Sequence, residues 1–292
     1  MELFLHQVIA GIATGAIYAC IALSVVMIFK ATDHLNFAQG EMAMFSTFIA
    51  WQLTQWGLPF WAAFFLAIAI SFVAGLAIQN FLFRPIAHAP VLSHVVAFLA
   101  LFAVLNSVAG FIWDYNVKSV TSPFGTQPLF GNGLISTHEA GMLVTTLLIL
   151  LLLYAFFRFT TMGLAMRAAA SNPASARLVG VRVAWMTALG WGMAAAIGAV
   201  AGMLIAPVVF LEPNMMAGIL LYGFAGAVVG GLSSPGGAVA GGFMVGVVEN
   251  LAGTFIPVIG RELKLPIALF LIVAVLMVRP AGIFGSATPT RV

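Results

Sequence analysis

The sequence predicts an all-α fold: a polytopic bundle of about eight or nine membrane-crossing helices with no separate soluble domain. Three observations carry this. Of 292 residues, 63% are hydrophobic and only 7% charged, with a mean hydropathy of +1.14, whereas a soluble domain carries about 25% charged residues. The apolar residues come in runs of roughly 20, the length that takes a helix across a ~30 Å hydrocarbon layer. The runs are continuous rather than alternating, and lipid admits only helices and closed barrels because every backbone polar group must be paired internally.

Taken in order, the apolar segments occupy about 7–29, 36–56, 59–83, 91–112, 138–158, 183–206, 215–232, 237–256 and 265–280. The first begins after MELFLHQ, which has no positive n-region, and its run from Val8 to Phe29 exceeds a signal-peptide core, so it reads as a retained helix. Lys30-Ala-Thr-Asp33-His34 separates it from the second, Gly57-Leu-Pro59 the second from the third, and Arg84-Pro85 with His88-Ala-Pro90 the third from the fourth. The stretch 113–137 holds Trp113, Tyr115, Pro123, Pro128 and three glycines, and reads as a folded loop with interfacial aromatics. After the fifth segment, residues 159–182 carry Arg167, Arg177 and Arg182, no acid, and the pair Asn172–Pro173: a basic loop with a short helix inside it. Pro207, Glu212-Pro213 and Ser233-Ser-Pro235-Gly-Gly237 punctuate the rest. Segments 36–56 and 215–232 each touch a Gly/polar break and read as the two that could be partly re-entrant.

If all nine segments cross, one side holds Lys30, Arg84, Arg158, Arg167, Arg177, Arg182, Arg279 and Arg291, and the other Lys118, Arg261 and Lys264. The excess of positive charge places the first set, including the 159–182 loop and the C-terminus, in the cytoplasm, and the N-terminus and the 113–137 loop outside. Eleven cations scattered between spans form no basic face, so the net charge of +3 does not indicate nucleic-acid binding.

Fifteen of the thirty glycines lie between Gly180 and Gly246, many four apart: Gly198/Gly202, Gly226/Gly230, Gly237/Gly241, Gly242/Gly246. Small residues at that spacing let helix backbones approach closely in lipid. Gly230-Gly231-Leu-Ser-Ser-Pro-Gly-Gly237 stacks breakers between two apolar helices, and a weaker echo, Asn36-Phe-Ala-Gln39-Gly40-Glu41, opens the second segment. Two interrupted segments in comparable places of two halves fit an internal inverted repeat with a central pathway. An acid inside an apolar run costs about 3 kcal/mol on insertion scales. Glu249 with Asn250 therefore reads either as a gate or as a carboxylate held by a neighbouring helix. Glu41 complements its helix-end dipole, and Asn36 resembles an N-cap. His94 and Asn106 read as interhelical hydrogen bonds, Met215 and Met216 as packing.

Chemistry-bearing signatures do not appear. The sequence has no phosphate-binding Gly-x-x-x-x-Gly-Lys-Ser/Thr loop, no Gly-x-Ser-x-Gly elbow and no His-Glu-x-x-His zinc helix. Its five histidines never pair at metal-ligand spacing, so neither a catalytic nor a metal site is expected. Cys20 lies inside the first segment and reads as a packing residue, without a disulfide partner.

Four motifs in order give a family resemblance over nearly the whole chain: Asn36-Phe-Ala-Gln-Gly-Glu41; Met162-Gly-Leu-Ala-Met-Arg-Ala168 with Ala176-Arg-Leu-Val-Gly-Val181; Gly230-Gly-Leu-Ser-Ser-Pro-Gly-Gly237 followed by Glu249; and Val278-Arg-Pro-Ala-Gly-Ile-Phe-Gly285. They resemble the LivH-type permease subunits of branched-chain amino acid ABC importers. Met162 stands where an arginine is usual and Gln39 where histidine is common. The resemblance implies an ABC importer permease fold in a bacterial inner membrane and a pathway shared with a second, LivM-type permease. It also implies two cytoplasmic ATPase subunits that use ATP and Mg, and a periplasmic substrate-binding protein. This chain itself would hold no cofactor and hydrolyse nothing. Residues 160–182 would be the element that docks on an ATPase, with Gly163, Arg167, Ala168, Asn172, Ala176 and Gly180 in it; Asn36, Gln39, Glu41, Gly230, Gly231, Glu249 and Asn250 would border the pathway. A largely apolar pathway suits leucine, isoleucine or valine and equally a benzoate-like ring, and relatives of this kind also resemble carriers of urea and short amides. An ion-driven secondary transporter is the alternative of another class; it would use Glu249 as its coupling acid.

Overall fold

The computed structural model describes residues 2–129, 135–256 and 263–285. Arg261, Arg291 and part of the 113–137 loop lie outside them. Among the described residues the chain is helical throughout, with two isolated backbone bridges, Lys118 with Leu211 and Pro128 with Ser136. The helices are α1 (Glu2–Thr32), α2 (Gln39–Gln55), α3 (Phe60–Ile78), which runs on through a π turn to Phe83, α4 (Val91–Trp113), α5 (Thr137–Phe159), α6 (Thr161–Ser171), α7 (Pro173–Leu178), α8 (Val183–Val209), α9 (Met216–Gly230), α10 (Pro235–Phe255) and α11 (Lys264–Val278). Every apolar segment read from the sequence is a helix.

Six of them are long and apolar enough to cross a bilayer: α1, α3 with its π turn, α4, α5, α8 and α10. The other three expected crossings are shorter. α2 has 17 residues and α9 and α11 have 15 each, about 26 and 22 Å at ~1.5 Å per residue, so none covers a ~30 Å layer as a straight helix.

Two compact units divide the chain. The first holds residues 1–26, 122–144 and 218–292. Here backbone meets backbone at glycine. A Cβ on Gly242 would lie 2.4 Å from Cα of Ala19 in α1, and one on Gly226 would lie 2.7 Å from Cα of Gly242. The four-residue glycine spacing thus brings α1, α9 and α10 together, replacing the hydrophobic drive that lipid removes. Ser234 caps α10 by accepting from the Gly237 amide at 3.0 Å, with Pro235 at the first helical position. Ser136 and Glu139 form a reciprocal capping box at the start of α5.

The second unit holds residues 27–121 and 145–217. α8 lies against α2 and α3 through small residues: a Cβ on Gly202 would meet Thr47 Oγ1 at 2.4 Å, and one on Gly75 the Trp191 carbonyl at 2.6 Å. Phe83, Phe98 and Trp191 stack at one place between the π turn, α4 and α8. Beyond α4, Lys118 acts as a staple. Its Nζ donates to the Trp113 carbonyl at 2.5 Å and pairs with Asp114 at 3.1 Å, while its backbone exchanges two 2.9 Å hydrogen bonds with Leu211. The Asn116 amide, then Lys118, hold the exposed Asp114 carboxyl below its ordinary range.

Substituting Gly242 by valine forces α1 and α10 apart and is expected to destabilise the protein by about 3 kcal/mol. Gly236→Ala, where nothing lies within 4 Å of the added carbon, is expected to stay within about 0.5 kcal/mol of the parent. Melting temperatures of the purified proteins compare them; equal losses would show that α1 and α10 do not meet through Gly242.

Candidate functional site

The polar groups that sequence reading singled out fall in two places, one in each unit. In the second unit, α1 ends at Thr32 and the chain stays non-helical to Ala38 before α2 starts. Asn36 organises this stretch. Its Oδ1 accepts from the Ala38 amide at 2.9 Å and its Nδ2 donates to Gln39 Oε1 at 3.3 Å. The expected N-cap role is therefore corrected: Ala38 occupies the cap position, and Asn36 makes a turn two residues earlier, as short amide side chains do when they bond their own backbone. Gln39 continues the chain of bonds, donating from Nε2 to the Ala194 carbonyl at 2.9 Å.

That contact fixes a register. Ala194 lies near the middle of the 27-residue α8, ~16 Å from its first residue. Glu41, in the first turn of α2, accepts from Asn106 Nδ2 at 3.3 Å, and Asn106 lies well past the middle of α4. Non-helical backbone thus reaches the level of the middle of α8 before α2 begins. In a bilayer this is tolerated only inside protein, and Asn36, Gln39 and Glu41 are at most 1% exposed.

Asn106 is a hub. The same Nδ2 also lies 3.1 Å from the Pro213 carbonyl and 3.1 Å from Asn214 Oδ1, and Tyr115 Oη lies 3.5 Å from Asn106 Oδ1. Asn106 is thus interhelical glue as read, but Pro213 and Asn214 were missed, because a loop carbonyl and an amide after α8 carry no sequence signal. His94 bonds within its own helix start, to the Pro90 carbonyl at 3.3 Å, and stacks on His34 at 4.2 Å. Near the far end of α2 a cavity of about 220 Å³ is lined by Thr47, Trp51, Thr54, Phe60, Phe64 and Thr121 among others, without a charged group. It too escaped sequence reading.

In the first unit, Glu249 of α10 is buried. Tyr18 Oη of α1 donates to its Oε2 at 2.7 Å, Lys264 Nζ lies 3.6 Å from Oε1, and Tyr222 stacks on Tyr18 at 4.8 Å. Asn250 donates to Thr14 Oγ1 at 2.9 Å. Glu249 and Asn250 therefore both tie α10 to α1. Gly230 and Gly231 lie against the backbone of Gly237, Gly282 and Gly285; Gly231 has φ +107°, and a Cβ there would lie 2.6 Å from the Gly285 nitrogen.

The basic loop is two short helices. Thr160 caps α6, accepting from the Gly163 amide at 3.0 Å; Asn172 ends α6 and caps α7, accepting from Ser175 at 3.0 Å. Gly163, Met166, Ala169 and Ala176 are buried, and a Cβ on Gly163 would meet the Phe156 carbonyl at 2.4 Å. Arg167, Asn172 and Gly180 are exposed and Ala168 is partly so. Leu164, Leu178 and Val179 are exposed too, the last two at 89% and 78%. Sequence reading singled out the arginines and missed these apolar neighbours.

A membrane protein of packed helices, with bonded polar groups at mid-length and an exposed basic helix pair between two spans, has the make-up of a permease. The chain belongs to the family described as "Branched-chain amino acid transport system / permease component", which matches residues 7–278. It is similar to the "High-affinity branched-chain amino acid transport system permease protein LivH" of Salmonella typhimurium, 30% identical over 97% of this chain and 96% of that one. It is 28% identical to BraD of Pseudomonas aeruginosa, named in the same words, with the same coverage. A "Probable branched-chain amino acid transport permease protein LivH" of Methanocaldococcus jannaschii is 28% identical over 91% of this chain and 87% of that one. The family that the four motifs resemble is thus the family of the chain. Among solved structures, "PsaBC from Streptococcus pneumoniae in complex with Fab" overlays with a TM-score of 0.49 and 12% identity, over 96% of this chain and 91% of that one.

Removing the Glu249 carboxylate separates its roles. Glu249→Leu leaves the Tyr18 hydroxyl without an acceptor and Lys264 without its counter-charge, and is expected to cost about 3 kcal/mol of stability. Glu249→Gln still accepts from Tyr18 and is expected to cost about 1 kcal/mol. Thermal unfolding of the purified variants reads the difference. A leucine variant as stable as the parent would show that the carboxylate does not hold α10 to α1.

Proposed function

We propose that this chain is a membrane-spanning permease subunit of an ATP-driven importer that brings branched-chain amino acids into the cell. The observation that carries the reading is family membership over residues 7–278, together with relatives of the same length named for that transport. The complex includes a second, related permease that completes the pathway, two cytoplasmic ATPase subunits that use ATP and Mg, and an external substrate-binding protein. The protein lies in a bacterial inner membrane with α6 and α7 in the cytoplasm, the orientation favoured by its positive charge.

In this reading α6 and α7 form the docking surface. Their caps and buried Gly163, Met166, Ala169 and Ala176 hold the pair rigidly on the bundle. The outward face then offers Arg167 and Arg177 for charge-assisted bonds to partner acids and Leu164, Leu178 and Val179 for an apolar groove. Gly180 makes the turn out of α7 with φ +85°. Asn36, Gln39 and Glu41 border the pathway; Gly230, Gly231, Glu249 and Asn250 hold the helices that support it. The cavity beside Trp51 suits an uncharged apolar group. Binding Glu249 to Tyr18 and Lys264 leaves it little part in ion coupling.

Reconstitution tests the reading. Proteoliposomes holding the whole complex, with ATP supplied only on the face of α6 and α7, should accumulate labelled leucine when the binding protein is present outside. Arg167→Glu should leave the complex assembled yet reduce uptake per ATP by about tenfold, the effect of reversing a charge-assisted contact. Absence of leucine uptake by the parent complex would overturn the substrate assignment, and unimpaired uptake by the variant would leave the arginine a topology signal only.

A further inference from the structure

Three oxygens surround one nitrogen in the second half of α4. Glu41 Oε2, the Pro213 carbonyl and Asn214 Oδ1 lie 3.3, 3.1 and 3.1 Å from Asn106 Nδ2. A carboxamide nitrogen carries two hydrogens in one plane, so it cannot serve three acceptors at once. A primary ammonium carries three, splayed in three directions, and all three oxygens would be satisfied by it. The Pro213 and Asn214 distances are those of N–H···O bonds, 2.7–3.2 Å, the Glu41 distance is slightly longer, and all three are wider than the roughly 2.3–2.6 Å that oxygens take around a calcium ion.

Charge points the same way. Glu41 is 1% exposed, and its side chain accepts one hydrogen bond, from Asn106, with no cation against it among the described residues. A buried carboxylate without a counter-charge is expensive in a low-dielectric interior, and a cation arriving there gains what the resting arrangement lacks. The place is reachable. Asn214 is exposed, Asn106 half-buried and Tyr115 56% exposed, so one edge of the cluster opens on the side of the loop after α8.

We propose that Glu41, Pro213 and Asn214 form a transit site for the α-ammonium group of an amino-acid substrate, and that the Asn106 amide holds its place in the resting state. The ammonium displaces Nδ2, donates to the Glu41 carboxylate, the Pro213 carbonyl and the Asn214 amide oxygen, and neutralises Glu41 for as long as it stays. Asn106 turns aside and remains available to accept from the ligand or to close behind it. The site discriminates by the amine: a branched-chain carboxylate without nitrogen finds only acceptors and a like charge. This rests on the amino-acid reading of the preceding subsection and adds to it the residues that meet the amine.

The test uses the assembled complex without its binding protein, so that selectivity arises in the membrane subunits. Shifts in melting temperature are titrated with L-leucine, with 3-methylbutylamine (the ammonium and branched chain alone), with 4-methylpentanoate (the carboxylate and branched chain alone) and with sodium chloride. Leucine and the amine are expected to stabilise the parent complex and the acid and the salt to leave it unmoved. Glu41→Gln should raise the half-saturating amine concentration by about tenfold or more, Asn214→Leu should weaken it at an exposed position that tolerates substitution, and Asn106→Ala should keep or tighten it by removing the placeholder. An equal response to the acid, a response to sodium alone, no response of the parent to either amine, or amine binding unchanged in both Glu41→Gln and Asn214→Leu would each overturn the proposal. Leucine uptake by the parent complex, measured separately in proteoliposomes, reports on the importer reading itself, so failure of that reading and failure of the ammonium site give different results.

Discussion

Lipid offers no hydrogen bonds, and the second unit is arranged around that constraint at one place. Between Thr32 and Gln39 the chain leaves its helix, with Asp33 and Phe37 exposed but Asn36 and Ala38 buried against the neighbouring helices. Each polar group there needs a partner from protein, or it costs several kcal/mol. Asn36 supplies one to the Ala38 amide, Gln39 ties the start of α2 to the α8 backbone, and Glu41 reaches α4. Once these bonds fix where α2 starts, the glycine face of α8 at Gly198 and Gly202 has its occupant, and the far end of α2 is carried to Trp113, whose Nε1 donates to Gln52 at 2.9 Å. Replacing this polar stretch by an ordinary helical turn would move the whole of α2 along its neighbours.

Both units pack helices through glycine, and they differ in what accompanies it. In the first, glycines such as Gly226, Gly242 and Gly246 oppose the backbone of glycine or alanine, and helices approach until side chains have no room. Its polar contacts then lock helices already in contact: Tyr18 with Glu249, Thr14 with Asn250. In the second, close approach at Gly75 and Gly202 is joined by large aromatic groups such as Phe98 and Trp191, and polar contacts set register. A carboxylate therefore has different consequences in the two places. Glu249 has a hydroxyl and an ammonium of its own; Glu41 has one amide that is shared with two other acceptors.

Much of this was legible in the sequence. Unbroken apolar runs placed each of the nine apolar helices among the described residues to within a few residues, because a crossing helix must be apolar on most faces. Glycines four apart marked the close-packed faces, since that spacing has no other economical use in a membrane helix. The basic loop read as holding one short helix; it holds two, because Asn172–Pro173 ends α6 and begins α7. What stayed hidden depends on register between distant segments. Nothing in Asn36–Glu41 says that it lies beside the middle of α8, and the partners Tyr18 and Lys264 stand far from Glu249 along the chain. The ring of acceptors around Asn106 includes a backbone carbonyl, which has no signature in any sequence.

Register is therefore where the account stands or falls, and disulfide trapping reads it directly. A Cβ built on Gly198 lies 3.5 Å from Cβ of Ala43, within the range of roughly 3.5–4.5 Å that a disulfide spans. In a Cys20→Ala background, the pair Ala43→Cys with Gly198→Cys is expected to cross-link rapidly under mild oxidant, and the pair Ala43→Cys with Ala188→Cys to remain free. Ready cross-linking of the second pair and none of the first would place α2 beside the start of α8, as an ordinary full-length span, and would contradict the arrangement of Asn36, Gln39 and Glu41 described above.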